Sequence, residues 1–163
     1  MLCRAELTAD TGGAERTVTD NLCVECRSQF SSPSELLPLE QYLNRLDVPV
    51  LVMDDDVRVL SFNEAARALL GKNPPEIRGH YAGEVMECAY AALPGGCGRT
   101  EHCKACAIRR AVTNTHVTGA SHVRETTCRS VHTSCGIRET RSRISTEKVG
   151  PFVLLRIDEL NAS

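Results

Sequence analysis

Cysteine is the residue type that this sequence uses most unusually, and four cysteines lie close together along the chain. The chain has 163 residues and nine cysteines. The clustered ones follow the pattern C-x8-C-x5-C-x2-C, and they are Cys88, Cys97, Cys103 and Cys106. Four thiolates are the ligand set of structural zinc sites and of iron–sulfur clusters. The sequence therefore predicts that these four thiols converge on one metal site.

The spacing favours an iron–sulfur cluster over zinc. Zinc sites more often contain two closely spaced cysteine pairs, whereas this chain has one such pair, Cys103 and Cys106, and two more widely spaced cysteines. We expect a helix over 101–116 to place that pair on one side. Three glycines around Cys97 leave its loop free to turn back toward the pair. Zinc is the alternative cofactor, and a redox-active disulfide or unligated core thiols remain open.

The other cysteines give weaker signals. Cys23 and Cys26 could form a second four-thiol site with Cys128 and Cys135, although two separate thiol pairs fit the long sequence separation better. Cys3 is expected to be an exposed thiol. None of these residues is assigned to the predicted metal site.

Charged side chains next to the cluster have two interpretations each. His102, beside Cys103, could tune or replace a ligand, but an exposed loop histidine is the simpler interpretation. Arg109 and Arg110 could neutralise thiolate charge, or they could lie on a solvated helix face. The sequence alone does not decide between these alternatives.

Composition excludes several classes of protein. The 19 basic and 21 acidic residues give a formal net charge of −2, which argues against a nucleic-acid-binding module. No apolar run reaches the 18 residues of a membrane span. No acid–base pair, nucleotide-binding loop or nucleophile elbow is visible, so we do not expect an enzyme. Clustered thiols without an export signal favour a reduced, cytoplasmic protein.

The patterning predicts a short arm, a helix and one α+β domain. We expect a flexible arm over 1–32, an amphipathic helix over 33–47 and a sensor domain over 48–160. The helix has a leucine stripe, which either forms a homodimer interface or covers the sheet. The stripe consists of Leu36, Leu39, Leu43 and Leu46.

Strand patterns flank the cysteine cluster on both sides. Two strands over 48–54 and 57–63 are joined by a turn of three aspartates. Asn63 then caps a helix that ends at Gly71, and the sequence NPPEIRG breaks it. The predicted strands after the cluster cover 120–128, 136–146 and 150–158.

The stretch VPVLVMDDDVRVLSFNEAARALLG resembles the opening of the PAS sensor domain family. Its strand, acidic turn, second strand ending in Asn63 and helix beginning NEAA match that opening. IRGHYAGEVM and FVLLRIDEL are similar to later parts of the family, so that the resemblance covers about 40–159. It implies a five-stranded antiparallel sheet, with helices on one face and a pocket beneath them.

The resemblance also implies a function. PAS domains commonly sense a ligand, a redox state or light, and they pass the signal to a linked or partner protein. The cysteine-rich segment departs from the usual pattern, and four-cysteine PAS domains with an oxygen-labile iron–sulfur cluster are a known sensor type. We therefore expect a redox or gas sensor that acts on a partner such as a kinase or regulator. A small electron carrier and a zinc-stabilised interaction module are the alternatives.

Overall fold

The structure is a computed structural model that describes residues 36–162. The expected arm over 1–32, with Cys3, Cys23 and Cys26, lies outside the described residues. The mobility of the arm and a second four-thiol site that includes Cys23 and Cys26 therefore stay predictions.

Five strands form one antiparallel sheet, which confirms the predicted α+β class. Along the sheet the strands follow the order β2–β1–β5–β4–β3. Their bounds are β1 (Val50–Met53), β2 (Val59–Phe62), β3 (His122–Thr133), β4 (Gly136–Val149) and β5 (Phe152–Ala162). The last three strands are longer than predicted. β3 continues to Thr133 because its pairing with β4 extends to Gly136 at the turn, and β4 and β5 continue to Val149 and Ala162 because their mutual pairing extends that far. The sequence at the β3–β4 turn is polar on both faces and lacks the apolar alternation that would have revealed it.

Short helices connect the strands. They are α1 (Leu36–Leu43), α2 (Glu64–Leu70), α3 (Pro74–Ile77), α4 (Ala82–Val85), two 3₁₀ segments at Ala89–Ala92 and Glu101–Ala105, and α5 (Ala107–Thr118). The expected break at NPPEIRG contains α3, because prolines fit the first helical positions, whose N–H groups need no partner. In the part of the chain that the structure describes, no helix has the length and apolar content of a membrane span.

The expected continuous helix over 101–116 is wrong in one respect. Cys106 interrupts it with an extended conformation, φ −66° and ψ 113°, between the second 3₁₀ segment and α5. Cys103 and Cys106 therefore lie on two different elements. Helical spacing does not align their side chains, and the position of each thiol depends on its own contacts.

The sheet buries both of its faces near β1. Leu51 belongs to the main core between the sheet and the helices α2–α5. Val50 and Val52 point to the opposite face, where they pack with Leu39 and Leu43 of α1. Leu39, Leu43 and the partly buried Leu46 of the stripe thus cover the sheet within the chain, which is one of its two expected roles. Homodimerisation through this helix stays a prediction.

Asn63 joins α1, β1 and α2. It is fully buried, and its Oδ1 accepts hydrogen bonds from the backbone N–H groups of Val50 at 3.0 Å and Ala66 at 2.9 Å. Its Nδ2 donates to the carbonyl oxygens of Leu43 at 3.0 Å and Val48 at 2.8 Å. The predicted cap of α2 is confirmed, and the same side chain also fixes the chain that leaves α1.

We expect Asn63→Ala to lower the free energy of unfolding by about 3 kcal/mol or more, because it removes a helix cap and leaves several buried backbone groups without partners. Urea unfolding of the full chain measures this loss. The matched control is Asn73→Ala at the exposed start of α3, where we expect a loss of about 1 kcal/mol or less. Equal losses in both variants would contradict the role of Asn63.

Candidate functional site

The candidate site is a cavity of about 280 Å³ with a wall rich in thiols. It lies among α4, the two 3₁₀ segments, the start of α5 and strand β3. Five cysteines line it: Cys88, Cys97, Cys103, Cys106 and Cys128. The structure thus brings the four cysteines of the predicted site to one cavity. Cys128 of β3 also borders the cavity, but its side chain is exposed and lies on the strand face opposite to Thr127 and Arg129.

Backbone pairing to the edge of the sheet positions Cys88. Cys88 forms an isolated antiparallel bridge with Val131 of β3, and the N–H of His132 donates to the carbonyl oxygen of Glu87 at 3.0 Å. Glu87 adopts a positive φ of 57°, which few residues other than glycine favour. The chain therefore turns sharply at Glu87, where it pairs with β3. The residues that follow, from Cys88 onward, run along the cavity.

Two glycines make room for the cavity wall. A Cβ atom added at Gly83 in α4 would lie 2.7 Å from the Sγ of Cys97. One added at Gly98 would lie 2.6 Å from the Cζ of Arg109. Because real Cβ contacts are longer than this, Cys97 and Arg109 can approach these backbones only where no side chain is present.

Cys97 and Cys103 have different electrostatic environments. The Sγ of Cys103 accepts a hydrogen bond from the N–H of Gly98 at 3.1 Å and is 3.2 Å from the Oγ1 of Thr100. Partial burial opposes ionisation of Cys103, but these hydrogen bonds and the charge of Arg109 outweigh it and lower the pKa of that thiol. Burial raises the pKa of the Cys97 thiol despite the nearby Arg109 and Gly83.

Arg109 links the cavity to the β1–β2 turn. Its Nη1 donates to Oδ1 of Asp56 at 3.1 Å, and its Nη2 donates to the carbonyl oxygen of Asp56 at 3.1 Å. Burial opposes the charge of Arg109, but its hydrogen bonds to Asp56 and Cys97 raise its pKa. Arg109 therefore lies beside the thiols, whereas Arg110 is exposed. Arg109 therefore fits the expectation of a cation near the thiols, and Arg110 fits the expectation of a residue on a solvated helix face.

Arg129 of β3 is the second arginine of the cavity wall. Its Nη1 donates to the Sδ of Met86 at 2.7 Å, and its buried Nε has no hydrogen-bond partner among the described residues. Burial lowers the pKa of Arg129, and the nearby thiols of Cys88 and Cys106 oppose that effect. Sequence reasoning did not identify Arg129, because nothing local distinguishes it from the other arginines of the strands.

His102 is an exposed residue that also contributes to the cavity wall. Its ring stacks on the ring of Tyr90, with centroids 3.9 Å apart and planes 9° apart. The hydroxyl of Tyr90 lies 3.5 Å from the Oγ of Ser130 on β3. The stacked pair joins the two 3₁₀ segments at the cavity. His102 is exposed, as expected, but its stacking on Tyr90 distinguishes it from a free loop residue.

The thiols share a cavity but are not grouped around one point. Among residues 36–162, no three His, Cys, Asp or Glu side chains lie close enough together to hold one metal ion. Zinc–sulfur bonds of about 2.3 Å would require four sulfur atoms about 3.8 Å apart. The four clustered cysteines line a cavity of about 280 Å³, and the metal site expected from the sequence stays a prediction.

The fold is similar to that of solved sensory domains. A LOV protein from Rhodobacter sphaeroides matches with a TM-score of 0.51 and 14% identity, over 80% of this chain and 66% of that chain. The PAS domain of nitrogen regulation protein NR(II) from Vibrio parahaemolyticus matches with a TM-score of 0.45 and 16% identity, over 78% and 98% of the two chains.

A third structure is a domain of the sensory box sensor histidine kinase/response regulator from Geobacter sulfurreducens, with a TM-score of 0.47 and 14% identity over 79% of this chain and 98% of that one. No protein-family model and no curated protein matches the sequence. The described residues therefore have a PAS-like α+β fold, which confirms the predicted architecture.

In the metal-free protein we expect alkylation to distinguish Cys103 from Cys97. The thiolate is the reactive form, and the pKa of Cys103 is lowered while that of Cys97 is raised. Iodoacetamide should therefore label Cys103 at a lower pH than Cys97, as measured by mass spectrometry across a pH series. Thr100→Val should move the Cys103 midpoint to higher pH and leave that of the exposed Cys135 unchanged. Identical midpoints for Cys97 and Cys103 would contradict the assigned environments.

We expect Gly83→Ala to displace Cys97 while the chain stays folded. Gly83 lies within α4 and has no positive φ, and alanine favours a helix by about 1 kcal/mol over glycine. Altered iodoacetamide labelling of Cys97, without loss of the circular dichroism spectrum, is the expected result. Gly136→Ala is the control, because its Cβ would contact nothing and its φ of +115° makes the substitution strained. That control should lose stability and keep the wild-type labelling of Cys97; a Gly83→Ala protein that labels Cys97 as the wild type does would be inconsistent with the packing.

Proposed function

We propose that this chain is a signal-transduction sensor of the PAS family and that the thiol-lined cavity is its sensing site. The observation that carries the proposal is that Cys88, Cys97, Cys103 and Cys106 all line one cavity beneath the helices of a PAS-like fold. Similar folds occur in domains of a sensor histidine kinase and of a nitrogen regulation protein, which supports a role in signalling and not in catalysis.

The cofactor that we propose is an iron–sulfur cluster held by Cys88, Cys97, Cys103 and Cys106, with zinc as the alternative. When bound, the cluster would supply reversible electron transfer and sensitivity to oxygen. The chain's own residues support such a group: the Gly98 N–H and Thr100 already donate toward the sulfur of Cys103. Hydrogen bonds of this kind help to set the reduction potential of a cluster.

Arg109 connects the cavity to the β1–β2 turn. It lies beside the thiol of Cys97 and donates to Asp56, and the hydroxyl of Tyr81 donates to Oδ2 of Asp56 at 3.0 Å. The next residue, Val57, is buried, lines the cavity and has φ 66°, which is strained for a β-branched side chain. A change of charge at the thiols would alter the pull of Arg109 on Asp56 and so release or fix this turn.

The signal would be received by a partner protein such as a kinase or a regulator. We propose a cytoplasmic site of action, because a thiol-ligated sensor of this kind requires reduced cysteines. A homodimer also belongs to the proposal, although Leu39 and Leu43 are already used within the chain. A second copy would then contact the outer part of α1 or the exposed sheet.

Anaerobic purification of the full chain, followed by an absorption spectrum and by iron, sulfide and zinc analysis, tests the cofactor. We expect iron with sulfide in the wild type and a loss of both in single Cys→Ser variants of the four proposed ligands. Cys135→Ser is the matched control, because Cys135 is exposed in the β3–β4 turn and does not line the cavity. Zinc without iron would assign the alternative cofactor, and a metal-free chain after anaerobic reconstitution would refute the metal site.

Hydrogen exchange on the same preparations tests sensing. Exposure to air should change the exchange of backbone amides at 54–58 in the wild type, and Asp56→Asn should weaken that response without removing the cofactor. An exchange pattern that is identical before and after cluster loss would show that the cavity does not signal to this turn.

A further inference from the structure

Arg129 is a cation in the cavity wall, and no described residue forms an ion pair with it. It is mostly shielded from solvent, its Nε has no hydrogen-bond partner among the described residues, and its Nη1 is directed at the sulfur of Met86. A thioether is a weak, neutral acceptor. No ion pair found within residues 36–162 includes Arg129.

This situation is unlike that of Arg109. Arg109 has a carboxylate partner, Asp56, with an N–O distance of 3.1 Å. A buried charge without a partner is strongly unfavourable, whereas a paired and hydrogen-bonded one is tolerated. The placement of Arg129 therefore points to an anionic group in the cavity at the end of the wall that holds Cys88 and Cys106.

The strand register explains why Arg129 reaches the cavity. On β3 it lies two residues after the buried Thr127, so that both side chains share the face toward the helices. Its cross-strand neighbour, Thr140 of β4, is also buried. Packing on this face thus holds the guanidinium near the thiols and away from bulk water.

We infer that Arg129 is the counter-cation of the cofactor, unpaired in the metal-free chain and paired with the thiolates of Cys88 and Cys106 when the cofactor is bound. This inference rests on the proposed function. Four thiolates carry more negative charge than a zinc ion or an iron–sulfur core neutralises. The net charge of the bound site is therefore negative. A cation next to it stabilises the more negative, reduced state of the cluster and raises its reduction potential.

The test replaces Arg129 by methionine and by lysine in the full chain. In the metal-free form Arg129→Met should raise the urea midpoint of unfolding, because it removes a partly buried charge that has no carboxylate partner among the described residues and keeps a similar volume. In the cluster-bound form the same variant should shift the reduction equilibrium at least tenfold toward the oxidised state, which is a change of about 59 mV for one electron. Arg129→Lys should keep the wild-type potential. If the bound metal is zinc, the corresponding readout is a tenfold weaker zinc affinity in a chelator competition.

Arg110→Met is the matched control, because Arg110 is exposed and follows Arg109 on α5. It should change neither the stability of the metal-free chain nor the potential. A purely structural Arg129 would make the methionine variant less stable in both forms, and that result, or an unchanged potential, would overturn the inference. If the wild type takes up no cofactor, both the proposed function and this inference fail. If the wild type binds the cofactor and only the Arg129 effects are missing, the inference alone fails.

Discussion

The buried amide of Asn63 holds together α1, β1 and α2, the elements that close one side of the sheet and begin the other. It satisfies backbone groups of α1, the linker to β1, β1 itself and the first turn of α2. No apolar residue could do this, since each of these buried backbone groups would then lack a partner. With α1 fixed over one face of the sheet, the opposite face remains for the helices and the cavity.

Contacts with neighbouring elements, and not a hydrophobic core of its own, hold the cysteine-rich segment 88–106 in place. Between Cys88 and Cys106 the only buried hydrophobic side chain is that of Ala89, so that little apolar burial stabilises the segment. Its order comes from the pairing of Glu87 and Cys88 with β3, the stacking of Tyr90 on His102 and the close approach of Cys97 to Gly83. A cofactor bound by its thiols would add the stabilisation that hydrophobic contacts supply elsewhere. Such a segment is well suited to respond to the state of a bound group.

Charge is distributed unequally around the cavity. Arg109 is shared between the thiol of Cys97 and the carboxylate of Asp56, so that it connects the site to the β1–β2 turn. Arg129 has no carboxylate partner in the described part of the chain and faces Cys88 and Cys106. Arg109 thus joins the cavity to the β1–β2 turn, and Arg129 is the cation of the wall to which our inference assigns the charge of a bound cofactor.

Local patterns were enough to predict the fold class, the hairpin with its aspartate turn, the Asn63 cap and the helix end at Gly71, because these depend on local alternation, turn residues and capping. The sequence also singled out the four clustered cysteines, since their spacing is unusual without any knowledge of the fold. The break at Cys106, the full length of β3 and β4, and the positions of Arg109 and Arg129 in the cavity wall follow from the tertiary structure alone. Each of them depends on strand pairing or on packing between residues that are distant in sequence, and such contacts leave no local pattern to recognise.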